Sequence, residues 1–330
     1  MLSFLDDKSI LITGGTGSFG KNFIKFLLDN SKAKRVIVFS RDEFKHFQMQ
    51  KEFTDPRLRF FIGDVRDKER LMRAFANVDI VVHAAALKHV PMLEYNPFEA
   101  VKTNILGTQN VIDAAIDKGV AKVLLISTDK AALPVNLYGS TKLCAEKLFI
   151  AGNFYSPDKT KFAVARYGNV IGSRGSIIET LLDQPNLETV NVTDMEMTRF
   201  WLKIEESFKL VSFALENMEG GETFVPKMPS MKIADMFAVM APQAKKEIIG
   251  IRPGEKLHEI LFTEQESARA IELEKYFVIL PEFKISNTYN YEKYAAMGKR
   301  IHKKFEYCSN KNDRWLTKED FANIIKELII

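Results

Sequence analysis

The chain has 330 residues, 46% of them hydrophobic, which suits one large or two joined domains with a sizeable core and argues against disorder. Forty-seven basic residues against 43 acidic leave a net charge of +4, too slight and too evenly mixed to indicate a nucleic-acid partner. Two cysteines, Cys144 and Cys308, exclude a disulfide framework or a cysteine metal cage and fit a reducing cytoplasm; there is no basic leader, and no apolar run approaches the roughly 20 residues of a membrane span.

In chain order, the first half alternates short apolar strands with amphipathic helices, the pattern of a parallel sheet covered on both faces. Ser9–Thr13 is predicted as the first strand and 20–30 as a helix, with Phe23, Phe26, Leu27 and Leu28 on its buried stripe. Between them runs Thr13-Gly14-Gly15-Thr16-Gly17-Ser18-Phe19-Gly20. The spacing of Gly14, Gly17 and Gly20 lets the backbone turn tightly beside a pyrophosphate and aims the helix's first amides at that anion. Thr16, Ser18 and Phe19 share the turn and count with the glycines as cofactor-binding. A second strand, Arg35–Ser40, ends in Ser40-Arg41-Asp42. A hydroxyl and a cation ahead of any acid favour the 2′-phosphate of NADP over the free ribose of NAD, with Asp42 left as a competing ribose ligand. The third strand, Leu58–Ile62, leads to Gly63-Asp64-Val65, where Asp64 offers a carboxylate to an adenine amino group. A helix over 68–76 precedes the fourth strand, Ile80–His83, and Ala84, Ala85 and Ala86 after it leave room for a dinucleotide.

A long helix is predicted over 97–118, with Asn104 a polar residue in a run that otherwise reads as core. The fifth strand, 122–127, ends in Ser127-Thr128-Asp129-Lys130, and a helix over 137–152 carries Tyr138 and Lys142. Four apart on a helix, these two share one face, and the ammonium is expected to lower the phenol's pKa. Such a pair moves a proton on a sugar hydroxyl while a nicotinamide takes the hydride. The acid beside an amine, Asp129 and Lys130, exceeds what a simple dehydrogenase needs. It is what an enzyme needs if it also removes a carbon-bound proton and expels water. The plain alternative for those two residues alone is a pair of solvated charges. His83 and His89 lack a third ligand at suitable spacing, so no metal site is expected.

A sixth strand, 162–167, closes the regular alternation. Beyond the loop after Gly172 come a helix over 205–216, a strand over 222–225 that returns to the main sheet, a basic loop over 252–256 entering a helix, and a last helix over 318–330. Phe200 and Trp201 read as core. The fold expected is α/β: a Rossmann-like, doubly wound parallel sheet over 1–172, with a returning segment near 200–228. A smaller substrate-binding lobe, mainly 173–330, closes a cleft at the carboxyl ends of the strands.

The glycine spacing, Gly63-Asp-Val-Arg-Asp67, His83-Ala-Ala-Ala86 and Tyr138-x-x-x-Lys142 together resemble extended short-chain dehydrogenases/reductases that act on nucleotide sugars. Four blocks narrow the match: Ala84-Ala-Ala-Leu-Lys-His-Val-Pro91, Ser127-Thr-Asp-Lys-Ala131, Arg166-Tyr-Gly-Asn-Val-Ile-Gly-Ser-Arg-Gly-Ser176 and Ile251-Arg-Pro-Gly-Glu-Lys-Leu-His-Glu259. With Met197-Thr-Arg-Phe-Trp201, they are similar to the inverting UDP-N-acetylglucosamine 4,6-dehydratases that start bacterial pseudaminic acid synthesis for flagellin glycosylation. Retaining dTDP-glucose dehydratases carry glutamate where Lys130 stands. Membrane-anchored dehydratases carry methionine where Tyr138 stands and add N-terminal membrane helices. Leu133 replaces the family's usual asparagine, which leaves room for a shifted substrate preference, and Ser140 replaces a common alanine.

The resemblance implies NADP as cofactor, UDP-N-acetylglucosamine as substrate and a cytoplasmic homo-oligomer, a hexamer built from dimers. It implies that Lys88 reaches the substrate, Asn169 and Arg174 the diphosphate, and Arg252 with Glu255 the far end of the nucleotide; Arg199 joins the substrate-binding set. In the implied reaction Tyr138, partly ionised by Lys142, takes the C4 hydroxyl proton as C4 loses hydride, and Thr128 holds that hydroxyl. Lys130, its pKa depressed by desolvation and Lys142, removes the C5 proton as a neutral amine. Asp129, protonated, assists departure of the C6 hydroxyl; hydride returns to C6, and C5 is reprotonated on the opposite face. A C5-retaining dehydratase, a C4 epimerase or 4-keto reductase, and a non-enzymatic NADP-sensing protein remain as alternatives.

Overall fold

Alternation along the first strand builds two layers at once. In β1 (Ser9–Thr13), Ile10 and Ile12 pack on one face with Phe23, Ile24 and Leu27 of α1 (Ser18–Asn30), whereas Leu11 packs on the other. In β2 (Arg35–Ser40), Val36 and Val38 share the α1 face, and Ile37 and Phe39 point away from it. The computed structural model describes residues 2–184 and 187–329. α2 (Glu43–Glu52), β3 (Leu58–Ile62), α3 (Lys68–Ala74) and β4 (Ile80–His83) continue the alternation. Then come α4 (Val90–Tyr95), α5 (Pro97–Ala100), a π-helical turn at Val101–Leu106 and α6 (Gly107–Lys118). β5 (Lys122–Thr128), α7 (Leu137–Tyr155) and β6 (Lys161–Tyr167) complete the wound half. Val111, Ile112 and Ala115 of α6 and Phe149 of α7 cover the face opposite α1.

These strands belong to a 10-stranded main sheet, beside which lie one 3-stranded and two 2-stranded sheets. From one edge, β3-β2-β1-β4-β5-β6 lie parallel. Thr223–Pro226 joins β6 in parallel, so the strand expected to return to the sheet does so. Tyr276–Ile279, Ala270–Glu272 and Lys299–Arg300 extend this edge in antiparallel pairing. Strand order reverses between β1 and β4, and the crevice beyond their carboxyl ends is where open α/β sheets bind ligands. A separate apolar cluster of Val192, Met197, Trp201, Met236, Phe237 and Phe321 supports strand Thr198–Leu202 beside that crevice, and Phe200 and Trp201 are core, as read.

Several elements differ from expectation. The 97–118 helix is interrupted by the π turn, where Asn104 is buried and bonded outside the helix. The 252–256 loop enters strand Ile260–Phe262, not a helix. Gly254 takes φ +78°, which breaks helical continuation, and the next helix starts only where Thr263 and Glu266 form a capping box. The final helix is Lys318–Ile329, and residue 330 lies outside the described residues.

Candidate active site

The crevice begins at the glycine turn. Gly14 takes φ +68°, Gly17 N–H donates to Gly14 O at 2.9 Å, and a Cβ on Gly14 would stand 2.9 Å from Ala85 N. A Cβ on Gly20 would meet Gly14 O at 2.5 Å. α1 starts at Ser18 with no side chain capping it, so its first amides face the crevice as an anion site. The adjoining floor is held by Thr13, whose hydroxyl accepts from Ala84 and Ala85 N–H at 3.2 Å and is hydrogen-bonded to His83 Nδ1 at 2.7 Å. Burial, reinforced by the Lys142 charge, brings His83 down to about 3, so it is a neutral wall residue.

One end of this crevice, about 310 Å³, is lined by Thr16, Ser40, Arg41, Lys45, Asp64, Val65 and Ala85 among others. Thr16, Ser40 and His46 are joined by hydrogen bonds of 2.9 Å. Asp42 lines the same end, where it caps α2 by accepting from Lys45 N–H at 3.0 Å and pairs with Lys45 Nζ at 2.9 Å. Asp64 pairs with Arg66 at 2.7 Å and Arg41 at 3.5 Å; burial opposes ionisation, but these partners hold its pKa below the usual carboxylate value.

The other end, about 500 Å³, brings together Ser18, Phe19, Lys88, Thr128, Lys130, Tyr138, Lys142, Asn169 and Arg174. Lys88 Nζ donates to Arg174 O at 2.8 Å. β5 delivers the reactive corner: Thr128 ends the strand, and a single 3₁₀ turn at Asp129–Ala131 follows. α7 crosses directly over that turn. A Cβ on Gly139 would lie 2.2 Å from Lys130 O, so only glycine admits this approach. Asn136 caps α7, accepting from Gly139 N–H at 2.8 Å, and its Nδ2 donates to Gly254 O at 2.7 Å, tying the corner to the C-terminal lobe. Asn104 Nδ2 donates to Leu87 O and to the Thr141 hydroxyl, so the π turn fixes the floor loop to α7.

The charges differ from expectation in two ways. Lys130 is an ammonium between two carboxylates, Asp129 Oδ1 at 3.0 Å and Glu259 Oε1 at 3.3 Å. Burial pulls its pKa down, but the Asp129 and Glu259 charges outweigh burial and raise it; the lowering is not realised, and Lys142 is not its cause. Asp129 is fully buried and raised by that burial, against the pull of Lys130, with Thr128 Oγ1 donating to it at 2.9 Å. Burial also pushes the Tyr138 phenol up to about 12, against the Lys130 charge. The lowering of Tyr138 by Lys142 is likewise not found: Lys142 Nζ donates to Ile126 O at 2.7 Å, and burial brings it down to about 8, with Glu146 opposing.

Arg199 is buried beside this cluster, 3.5 Å from both Glu255 and Glu259. Arg252 is exposed and does not line the crevice. Leu133, 52% exposed, lines a cavity next to α7 and not the crevice. Two groups went unread in the sequence. Glu259 closes the block that starts at Ile251, directly before a buried strand, and an acid in that place was the available signal. Glu146, one turn after Lys142, accepts from Ser127 Oγ at 2.5 Å and pairs with buried Arg166 at 2.6 Å beneath the corner.

A doubly wound sheet with a glycine turn at β1 and a Tyr138/Lys142 helix crossing the end of β5 defines a short-chain dehydrogenase/reductase-like protein. More narrowly, the chain belongs to the polysaccharide biosynthesis protein family, which matches residues 10–281. It is 49% identical over 324 residues to the UDP-N-acetylglucosamine 4,6-dehydratase (inverting) of Campylobacter jejuni, covering 96% of this chain and 97% of that one. It is 39% identical to the UDP-glucose 4-epimerase of Rickettsia conorii, over 98% of this chain and 96% of the relative. Among solved structures, Pen from Bacillus thuringiensis superposes with a TM-score of 0.89 at 41% identity, covering 99% of each chain.

Proposed function

We propose that the protein is an inverting UDP-N-acetylglucosamine 4,6-dehydratase that forms a 4-keto, 6-deoxy product inverted at C5. The observation that carries this reading is Lys130 facing the crevice beside Tyr138 while paired with buried Asp129 directly behind it. The likeness to the Campylobacter jejuni dehydratase supports the substrate, the C5 outcome and, more distantly, a place in pseudaminic acid synthesis. The glycine turn fits a nicotinamide dinucleotide. NADP is favoured because Arg41 and Lys45 stand at the β2 end of the crevice and Asp42, which shares that end, is held by its capping bond and its pair with Lys45. When bound in oxidised form, that cofactor supplies the hydride acceptor for C4 and a positive charge that favours the tyrosinate.

Tyr138 takes the C4 hydroxyl proton, with Thr128 holding the hydroxyl and the Lys130 charge easing ionisation of the phenol. The observed ion pair supplies the next two groups together. Transfer of one proton across 3.0 Å, from Lys130 Nζ to Asp129, turns ammonium and carboxylate into neutral amine and neutral acid without changing net charge. Lys130 then removes the C5 proton, made acidic by the 4-keto group, and Asp129 gives its proton to the departing C6 hydroxyl. Water leaves and the ion pair is restored; the C5–C6 alkene becomes the 6-deoxy product once C6 regains the hydride lost from C4 and C5 takes a proton on the opposite face. Lys88, Asn169 and Arg174 hold the nucleotide diphosphate side of the substrate; Arg199 and Glu255 act from the lobe.

Exposed Met92, Tyr95, Phe98 and Leu106 place an apolar strip along α4, α5 and the π turn, which supports a homo-oligomer; the hexamer rests on family resemblance. No helix among the described residues is long and apolar enough to cross a membrane, and a cytoplasmic location belongs to this proposal. The relationship to the Rickettsia conorii protein favours a second reading, C4 epimerisation. Pure protein incubated with UDP-N-acetylglucosamine in deuterated water separates the two by NMR. Dehydration gives a C6 methyl group and deuterium at C5; an epimer with its C5 proton intact overturns the dehydratase reading.

A further inference from the structure

Lys130 Nζ has two carboxylate neighbours, and the reaction leaves only one of them free to act as a counter-charge. If Asp129 is the acid that protonates the leaving hydroxyl, it is neutral while Lys130 takes the C5 proton. At that moment the amine becomes an ammonium, and Glu259 is the ionised group left beside it. Glu259 Oε1 lies 3.3 Å from Lys130 Nζ and 3.5 Å from Arg199 Nε, and its side chain is 3% exposed. Its other oxygen, Oε2, is buried with no hydrogen-bond partner among the described residues. A merely structural ion pair would use both oxygens of a buried carboxylate.

The backbone around Glu259 is fixed accordingly. Its N–H donates to Ser309 Oγ at 2.9 Å, Ser309 N–H donates back to Glu259 O at 2.8 Å, and the Ser309 hydroxyl is bonded to the Thr198 hydroxyl at 2.6 Å. The carboxylate therefore reaches Lys130 from a braced segment of the C-terminal lobe. We propose that Glu259 is the positioning residue of the base: an ionised carboxylate that aims Lys130 Nζ at C5 and stabilises the ammonium as it forms. This inference rests on the dehydratase reading. The logic is that of a base oriented by a third, buried group.

The charged neighbours agree with it. Burial disfavours ionised Glu259, but Lys130, Arg199 and Lys256 outweigh that and hold its pKa below the ordinary value. Asp129 and Tyr138 face Lys130 from the turn after β5 and from α7. Glu255 pairs with Arg199, while His258 and Cys308 lie nearby on the lobe. Without the Glu259 charge, Lys130 must release its proton at lower pH and sit less firmly.

The test uses Glu259→Gln and Glu259→Asp in the full-length protein. Amine acetylation of Lys130, read by peptide mass spectrometry across pH, reports its titration without requiring turnover. Glu259→Gln is expected to move that midpoint down by about one pH unit or more, leaving the Lys142 midpoint in place. With UDP-N-acetylglucosamine, kcat and C5 deuterium exchange should fall about 10- to 100-fold at nearly constant KM, and the acid limb of the kcat profile should shift to lower pH. Glu259→Asp, one methylene shorter, should be intermediate in both readouts, and it serves alone if the Gln variant does not fold. An unshifted Lys130 midpoint, or C5 exchange within twofold of wild type, overturns the inference. Wild-type protein that never dehydrates the substrate removes the dehydratase reading instead, and the labelling experiment still reports on the Lys130–Glu259 contact.

Discussion

The glycine turn at the end of β1 and the charged corner at the end of β5 stand in one sheet with only β4 between them, yet they are built by opposite means. The turn presents backbone: uncapped amides of α1, and glycines where any side chain would strike Ala85 or Gly14. The corner presents side chains from four places in the chain: Asp129 and Lys130 after β5, Tyr138 and Lys142 on α7, Arg199 from strand Thr198–Leu202, and Glu259 from the C-terminal lobe. The proposed anion site is thus local and tolerant of distant change. The proposed proton-transfer site is non-local, and it depends on how the lobe meets the sheet.

If the two regions are separable, changes to one must spare the other. The largest effect is expected from Tyr138→Phe, which should cost about 10²–10⁴-fold in turnover while cofactor affinity stays within a few fold. Steady-state turnover beside a cofactor titration checks this, and loss of cofactor binding would join the regions. Arg41→Asp is the reverse case. It should weaken NADP about tenfold or more and narrow its advantage over NAD, with C5 exchange unchanged at saturating cofactor. Wild-type protein that prefers NAD would contradict this reading of β2.

The pH profile sharpens the comparison. Lys142 is held down to about 8 by burial, so its cation is present below that pH and lost above it. Lys142 bonds Ile126 O and does not lower the Tyr138 pKa, so turnover should show no limb that follows this titration; a decline through about 8 that Lys142→Arg removes would contradict that. Stability does follow it. Between about 8 and the ordinary lysine value of 10.5, the unfolded chain binds a proton that the folded one does not, so this residue's contribution rises with pH. Denaturant titrations across that window check this. The smallest effect is at Leu133, a non-glycine residue at φ 47° and half exposed. Leu133→Asn, which tolerates the left-handed region, should add about 1 kcal/mol to unfolding stability without changing substrate preference.

The same contrast governs what the sequence could reveal. β1 to β4 appear with the bounds read from their apolar runs: β1, β2 and β4 are buried on both faces and so continuous in Val, Ile, Leu and Phe, while β3, at the sheet edge, exposes Arg59 and Ile62 and was marked by Leu58, Phe60 and Phe61. The glycine spacing exposed the turn because close approach demands glycine at set intervals. α2 was invisible to periodicity, since only His46 and Met49 of its ten residues are buried; the Asp42 cap was its one sign. The antiparallel edge strands, two to four residues long, are too short to show a period. At the corner, residue types were legible but protonation states were not. Lys130 was expected to be neutral through desolvation and a nearby Lys142, whereas the adjacent Asp129, together with Glu259 brought in by the fold, keeps it an ammonium.

The central claim is that Lys130, working with Asp129, removes the C5 proton, and Lys130→Ala tests it most directly. The variant, loaded with NADP and given UDP-N-acetylglucosamine in deuterated water, is followed by cofactor absorbance and by NMR at C5 and C6. The expected result is an intact fold, preserved NADP binding and C4 oxidation that is slowed by loss of the charge beside Tyr138 but still seen as reduced cofactor. Deuterium at C5 and the C6 methyl product should both fall by about 10²-fold or more. Dehydration by Lys130→Ala at a near wild-type rate would contradict it, leaving Lys130 a structural charge and returning the C4 epimerase or reductase reading to the front.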